Sequence, residues 1–100
     1  MNRGKPMLSQ SETSKWTDEI TEQLKILLEE VKGIPGLAKE LTASTDIVND
    51  VQLDSIEMIN FMLKIEESLK VEIDFEQLDF SYLQSLSAFA DFLSRMKRLA

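Results

Sequence analysis

The chain has 100 residues, 43% of them hydrophobic, and its 18 acidic and 11 basic side chains give a net charge of −7 at neutral pH. This length predicts one domain with one modest core. Histidine and cysteine are both absent, which excludes Ser-His and Cys-His hydrolases, zinc sites built from Cys and His, and disulfides.

Residues 1–15 are polar, carry a net positive charge and lack the apolar stretch of a secretory signal. We therefore expect a flexible N-terminal tail. The chain contains no run of about 18 apolar residues, so it is predicted to have no membrane span. With no cysteine and no signal, a cytoplasmic location is expected.

The first helix is predicted over residues 16–32, where apolar side chains recur at spacings of three and four. That stripe consists of Ile20, Leu24, Leu27 and Val31. Thr17 is the predicted N-cap, and Gly33 followed by Pro35 is predicted to end the helix.

Residues 33–54 form a long connection, which is unusual in a small domain. Residues 37–41 can form a single helical turn. Apolar side chains are expected to fix the rest of the segment onto the core. They are Leu37, Leu41, Ile47, Val48 and Val51.

The strongest helix prediction covers residues 55–70. Asp54 is the predicted N-cap, and Glu57 three residues later completes a capping box that contributes about 1 kcal/mol. The wide apolar face consists of Ile56, Ile59, Met62, Leu63, Ile65 and Leu69. The positions predicted to be plain core are Ile59, Leu63 and Leu69.

The stretch after Lys70 is ambiguous, because Val-Glu-Ile alone is typical of a strand. A single strand would have no partner in this chain. A loop and a short helix over residues 75–79, capped by Asp74, are therefore preferred.

The last helix is predicted to begin after a Ser85 cap and to place Arg95, Lys97 and Arg98 at its negative end. Its inward-facing residues are Leu86, Phe89, Phe92, Leu93 and Met96. The fold prediction is an all-α four-helix bundle with three long helices, one short helix and a long first loop. The domain is expected to span residues 16–96, followed by a short basic end at 97–100.

The negative charge is concentrated in residues 40–79, which contain eleven acidic side chains and only two lysines, for a net charge of −9. Such a segment disfavours nucleic acid as a partner and favours docking by basic proteins, although a solvated acidic face is the simpler interpretation. The spacing around Asp46 does not match a calcium-binding EF-hand, because apolar residues occupy ligand positions and glycine is missing.

Ser55 lies where the long loop meets the most apolar helix. It could be an ordinary helix-start serine. It cannot be activated by histidine, because the chain has none, so nucleophilic catalysis is disfavoured. A helix N-terminus favours anions, which makes this serine suitable as a phosphodiester attachment point.

The segment TDIVNDVQLDSIEMINFMLKIEESLKVEI resembles the acyl carrier protein family, whose pattern is an acidic loop, Asp-Ser-Leu and an apolar helix that ends in an acidic run. Here the centre of the pattern is Asp54, Ser55 and Ile56, and the resemblance covers residues 16–95. It implies that a separate phosphopantetheinyl transferase adds 4'-phosphopantetheine from coenzyme A to Ser55, with magnesium. The thiol of this arm then carries acyl groups as thioesters, and the chain has no catalytic activity of its own.

The resemblance also assigns roles to neighbouring residues. Asp54 helps to present Ser55 to the transferase, besides capping the helix. Basic patches on acyl-loading and condensing enzymes, in fatty acid, polyketide or related biosynthesis, are expected to dock on one surface of a monomer. The implied docking residues are Ile56, Glu57, Glu66 and Glu67, and the candidates that line an acyl cleft are Phe61 and Met62.

Three positions depart from the family pattern. Gln52 stands where the family has a glycine, which can supply an unusual backbone conformation. Asn60 stands where a glutamate is frequent, and Lys64 adds a positive charge to the helix. These departures favour a specialised carrier over the general fatty-acid one.

Two alternatives stay open at this point. A peptidyl, aryl or D-alanyl carrier shares the serine and the arm but is loaded by an adenylating enzyme. A protein of a different class, an unmodified acidic helical adaptor, would use Ser55 only as part of a helix start.

Overall fold

The computed structural model describes residues 4–99, with side chains from residue 15 onward. This part of the chain contains four α-helices, one short 3-10 helix and a two-stranded ribbon. The α-helices are α1 (Gly4–Lys32), α2 (Leu37–Glu40), α3 (Ser55–Leu69) and α4 (Leu86–Ser94). The 3-10 helix is Phe80–Leu83, and the strands are β1 (Val71–Glu72) and β2 (Lys97–Arg98). The predicted helical bundle is confirmed, and within residues 4–99 no helix is both long and apolar enough to cross a membrane.

Helix α1 is longer than its apolar stripe predicted. It begins at Gly4, so Thr17 lies within the helix and the prediction that it is the N-cap was wrong. The backbone between residues 7 and 32 contains neither Gly nor Pro to interrupt it, and Pro6 lies in the first turn, where its missing N–H is tolerated. Most of the expected tail is therefore helical backbone, while the division of the chain at 16 and 96 stays a prediction.

The end of α1 and the connection to α3 follow the sequence prediction. Gly33 adopts a left-handed φ of 68° directly after the helix, and α2 forms the predicted single turn. The connection contributes three buried apolar side chains, Leu41, Ile47 and Val51, and the buried Thr45. Its backbone bonds to the region before and within α4 run from Ile47 N–H to Leu83 O (3.0 Å), from Leu86 N–H to Thr45 O (3.0 Å) and from Ser87 N–H to Ala43 O (2.9 Å). The long loop is thus an integral part of the packed domain.

The core lies where α1 packs against α3 and α4. The largest fully buried side chains include Phe61, Phe89, Phe92, Ile20, Leu24, Leu28, Ile65, Leu86 and Leu93. Leu69 is buried as predicted, but Ile59 and Leu63 are 59% and 55% exposed, so their assignment to the core was wrong. Ile59 is two positions before Phe61, which turns it about 200° away around a helix. Helix α3 is apolar on more of its circumference than its neighbours cover.

The segment after α3 forms a strand, and the preference for a loop was wrong. Val71 lies opposite Arg98 in an antiparallel ribbon, and Glu72 lies opposite Lys97. Val71 is fully buried, and buried backbone groups require hydrogen-bond partners. The chain end supplies them, because α4 stops at Ser94 instead of continuing through the basic residues.

The short helix expected over residues 75–79 is also absent from the structure, which has a turn there. Gln77 N–H donates to Asp74 O at 3.1 Å, and the helical turn comes later, at Phe80–Leu83 with Asp79 as its N-cap. Phe75 remains 55% exposed. A turn in which the Asp74 carboxylate accepts from Glu76 N–H and from Gln77 Nε2 replaces the predicted helix.

Candidate functional site

Ser55 is the first residue of α3 and its side chain is exposed. Among the side chains that the structure describes, Ser55 Oγ has no hydrogen-bond partner. The N–H groups of Ser55 and Ile56 belong to the first helical turn, which has no acceptor within the helix. These amides and the helix dipole favour an anion beside the hydroxyl. A phosphodiester can therefore be attached here without displacing a contact to any described side chain.

The predicted capping box is present and fixes the start of α3. Asp54 Oδ1 accepts from Glu57 N–H at 2.8 Å, and Asp54 N–H donates to Glu57 Oε1 at 3.1 Å. The side chain of each residue thus accepts a hydrogen bond from the backbone N–H of the other residue. Ser55 lies between these two residues, so the box fixes the backbone from which its hydroxyl projects.

Lys32, the last residue of α1, also contacts this capping box and the loop before it. Its Nζ donates to Gln52 O at 3.2 Å and lies 3.1 Å from Glu57 Oε1. We call the group of Lys32, Gln52, Asp54 and Glu57 the attachment clamp. Sequence analysis missed Lys32, because a lysine in the last turn of a helix is usually explained by the helix dipole.

Gln52 has a φ of 61°, in the left-handed region that favours glycine. This is the position where the family pattern has a glycine, so the departure affects a residue whose backbone conformation is special. A non-glycine residue in this conformation is strained by about 1–2 kcal/mol. The bond from Lys32 to its carbonyl helps to keep it there.

Asp46 organises the loop that leads to the clamp. Its Oδ1 accepts from Val48 N–H at 2.9 Å and from Asn49 N–H at 2.7 Å, and its Oδ2 accepts from Asn49 Nδ2 at 2.9 Å. Hydrogen bonds from Asn49, more than the one from Val48, lower the pKa of the Asp46 carboxyl below its usual range. The ionised carboxylate thus holds the turn before Gln52.

An apolar groove of about 380 Å³ runs between α3 and the segment around the 3-10 helix. It is lined by Met58, Ile59, Met62, Leu63, Glu66, Phe75, Leu78, Phe80 and Leu83. Met58, Ile59 and Met62 follow Ser55 at spacings of three, four and seven, so they share its face of the helix, and Met62 lies about 10 Å further along the axis. The groove therefore begins one turn from the serine.

The two predicted cleft residues lie in different places. Met62 lines the groove, whereas Phe61 is fully buried in the core with its ring 6.2 Å from that of Phe89. Phe61 is therefore a packing residue, and the aromatic lining comes from Phe75 and Phe80, which sequence analysis did not select. The available signal was the pair of Asp-Phe steps in DFEQLDF, which places two aromatic residues in a polar segment.

The predicted docking residues divide into exposed and internally bonded ones. Ile56 is 67% exposed and Glu67 is exposed. Glu57 belongs to the clamp, and Glu66 Oε2 accepts from Ile73 N–H at 3.0 Å. The stripe formed by Ile56, Ile59 and Leu63 is more accessible than two of the three glutamates.

A second cavity, of about 520 Å³, lies between residues 72–77 and 95–97. Its walls carry charges of both signs, and no residue of α3 lines it. The described side chains also contain no group of three or more acidic residues arranged to hold a metal ion. The groove beside Ser55 is thus the better candidate for an apolar ligand.

Comparison with known proteins assigns most of the chain to a family. Residues 22–93 match the family described as "Phosphopantetheine attachment site". An acyl carrier protein from Coprothermobacter proteolyticus is 31% identical over 61 residues, which cover 61% of this chain and 72% of that protein. No solved structure shows a significant match.

Proposed function

The chain belongs to the family of carrier proteins with a phosphopantetheine attachment site, and we propose that Ser55 is the residue that bears its 4'-phosphopantetheine. The observation that carries this proposal is the exposed hydroxyl at the start of α3, which lies inside the matched residues and has no hydrogen-bond partner in the part of the chain that the structure describes. The capping box supports it, because it fixes the backbone on both sides of Ser55.

Attachment breaks the phosphoanhydride bond of coenzyme A and forms a phosphoester bond to the serine. Ser55 Oγ attacks the phosphorus that bears pantetheine in coenzyme A, a new Oγ–P bond forms, and adenosine 3',5'-bisphosphate leaves. A base on the phosphopantetheinyl transferase takes the hydroxyl proton, since this chain has no histidine to do so. Asp54 lies beside Ser55 with only Oδ1 engaged in the capping box, which leaves its other oxygen available at the docked transferase.

We further propose that the cargo is an acyl group with an apolar chain. The groove that begins one turn from Ser55 has a single charged lining residue, Glu66. Its volume of about 380 Å³ lies within the range of about 300–1,000 Å³ for small-molecule sites. An aminoacyl or peptidyl cargo would bury polar groups there without partners. Fatty acid, polyketide or related biosynthesis is therefore favoured over the aminoacyl and peptidyl carriers that are loaded by adenylation.

Partner enzymes are proposed to dock on the α3 surface beside the arm, where they load, condense or remove acyl groups. The exposed stripe of Ile56, Ile59 and Leu63 offers apolar contact, and Glu67 offers charge to a basic patch. Glu57 and Glu66, which bond internally, contribute less than the family pattern implies. In this role the chain is a cytoplasmic monomer that presents its cargo and catalyses no step itself.

The adaptor hypothesis lacks comparable support. Under this hypothesis Ser55 stays unmodified at the helix start. The hypothesis gives no reason for the match of residues 22–93 to a phosphopantetheine attachment family. It also leaves the groove beside the serine without an occupant. It remains useful as the outcome that the loading experiment can reveal.

The test is an intact-mass measurement after incubation with coenzyme A, magnesium and a broad-range phosphopantetheinyl transferase. We expect the unsubstituted protein to gain one phosphopantetheine group. Ser55→Ala should gain none and keep its helical circular dichroism, whereas Ser68→Ala, an exposed serine on the same helix, should load normally. Loading of Ser55→Ala would contradict the proposal.

A further inference from the structure

The backbone that carries Ser55 is held from outside by Lys32. Two atoms accept from Lys32 Nζ: Gln52 O at 3.2 Å, three residues before the serine, and Glu57 Oε1 at 3.1 Å, two residues after it. We propose that Lys32 is a positioning residue, which keeps residues 52–57 in the conformation that the phosphopantetheinyl transferase recognises. The proposal rests on the attachment of the arm to Ser55.

The first argument is that one carboxylate oxygen serves two donors. Glu57 Oε1 accepts from Asp54 N–H and from Lys32 Nζ, both at 3.1 Å. The side chains of Lys32 and Glu57 are only 19% and 26% exposed, so solvent screens this pair less than an ordinary surface ion pair. Removal of Lys32 leaves the carboxylate of the capping box without its counter-charge.

The second argument is the backbone of Gln52. Its φ of 61° disfavours a residue with a side chain, so contacts that hold Gln52 in this conformation stabilise the loop. Within the loop, Gln52 N–H donates to Val48 O at 3.1 Å, and Lys32 adds a contact from outside the loop at the Gln52 carbonyl. A glycine at position 52 would adopt the same conformation without strain. The protein should therefore depend on Lys32 more strongly with Gln52 than with glycine.

Lys25 provides a matched control on the same helix. Its side chain is 17% exposed, and it forms an ion pair with Glu22 at 2.9 Å, one helical turn away. Lys25→Met and Lys32→Met thus remove the same charge and one ion pair each from α1. Among the described residues, the recorded contact of Lys25 stays within α1, whereas those of Lys32 reach the attachment clamp.

Amide hydrogen exchange, followed by NMR on the unmodified protein, tests the clamp without any transferase. We expect Lys32→Met to accelerate exchange at Gln52, Asp54 and Glu57, whereas Lys25→Met leaves these amides unchanged. Lys32→Arg should retain most of the protection, because it keeps a charged donor. Equal acceleration in the two methionine variants, or none in either, would overturn the proposal.

Loading kinetics then test the positioning role. If Lys32→Met reduces the population of the recognised conformation to about a tenth, the KM of the transferase for the carrier rises about tenfold while kcat changes little. In the Gln52→Gly background the same substitution should raise KM less. An equal rise in both backgrounds, a loss confined to kcat, or an equal effect of Lys25→Met would overturn the role of Lys32.

The two experiments separate this inference from the proposed function. If the unsubstituted protein does not load, the proposed function fails and the role of Lys32 in recognition fails with it. If the unsubstituted protein loads and Lys32→Met loads with unchanged KM, the proposed function stands and only the positioning role is contradicted. Circular dichroism of each variant confirms that a kinetic change does not reflect an unfolded sample.

Discussion

The two segments that flank α3 are built in opposite ways. The loop before the helix is bonded residue by residue, through the carboxylate of Asp46 and through the attachment clamp. The segment after it presents large side chains to solvent, since Phe75 is 55% and Phe80 74% exposed. One flank is fixed by directional polar contacts, and the other offers apolar surface.

This difference matches the two tasks that a carrier performs. A transferase must find the serine in one conformation, because each alternative loop conformation lowers the apparent affinity. Apolar cargo of varied length needs a surface that adapts, since hydrophobic contact is not directional. Under the proposed function, the polar loop suits recognition of Ser55 by the transferase, and the apolar groove suits an apolar cargo.

The largest loss of stability is expected for substitutions on the buried face of α3, and a much smaller one on its exposed face. Phe61→Ala should lower the free energy of unfolding by about 3–5 kcal/mol, because it leaves a cavity in the core. Ile59→Ala, two residues away and 59% exposed, should change it by no more than about 0.5 kcal/mol. Denaturant unfolding of the two variants measures both values. Similar losses would show that the groove face is packed as tightly as the core.

A smaller effect is expected at the capping box. Asp54→Ala removes the acceptor for Glu57 N–H and should destabilise the protein by about 0.5–2 kcal/mol. Glu67→Ala, on the exposed side of the same helix, is the control and should leave the unfolding midpoint almost unchanged. An Asp54→Ala protein as stable as this control would mean that the box does not fix the start of α3.

The smallest effect concerns the pH dependence of the loop. Because the pKa of Asp46 is lower in the folded protein than in the unfolded chain, its ionised form contributes stability that is complete above the unfolded value of about 3.9 and is lost as pH falls through the folded value. The stability difference between the protein and Asp46→Asn should thus be constant above about pH 5 and shrink below about pH 4. A difference that persists unchanged to pH 2.5 would contradict this assignment.

The sequence predicted the polar flank better than the apolar one. The capping box follows from Asp54 and Glu57 alone, because it is formed by residues three apart. Lys32 reaches the same site from 25 residues away, and no local pattern reveals such a contact. Gln52 was recognised as a departure because a glycine was expected, and its positive φ explains why the position is special.

The groove could not be predicted because it depends on which side of α3 its neighbours cover. The periodicity predicted a wide apolar face, and the assignment of Ile59 and Leu63 on that face to the core was wrong. The strand at Val71 was missed for a related reason, since its partner is the chain end, which local propensity assigned to a helix. Contacts between segments distant in the sequence determine both the exposed face of α3 and the strand at Val71.

The comparison of the two flanks is tested most directly by ¹H–¹⁵N NMR spectra of the protein with the bare arm and with an octanoyl group on its thiol. The added chain is expected to shift the amide signals of Phe75, Phe80 and Leu83, which line the groove. The signals of Gln52 and Glu57, in the attachment clamp, should stay in place. Shifts at the clamp without shifts in the groove would contradict the division between a fixed attachment loop and a cargo-binding groove.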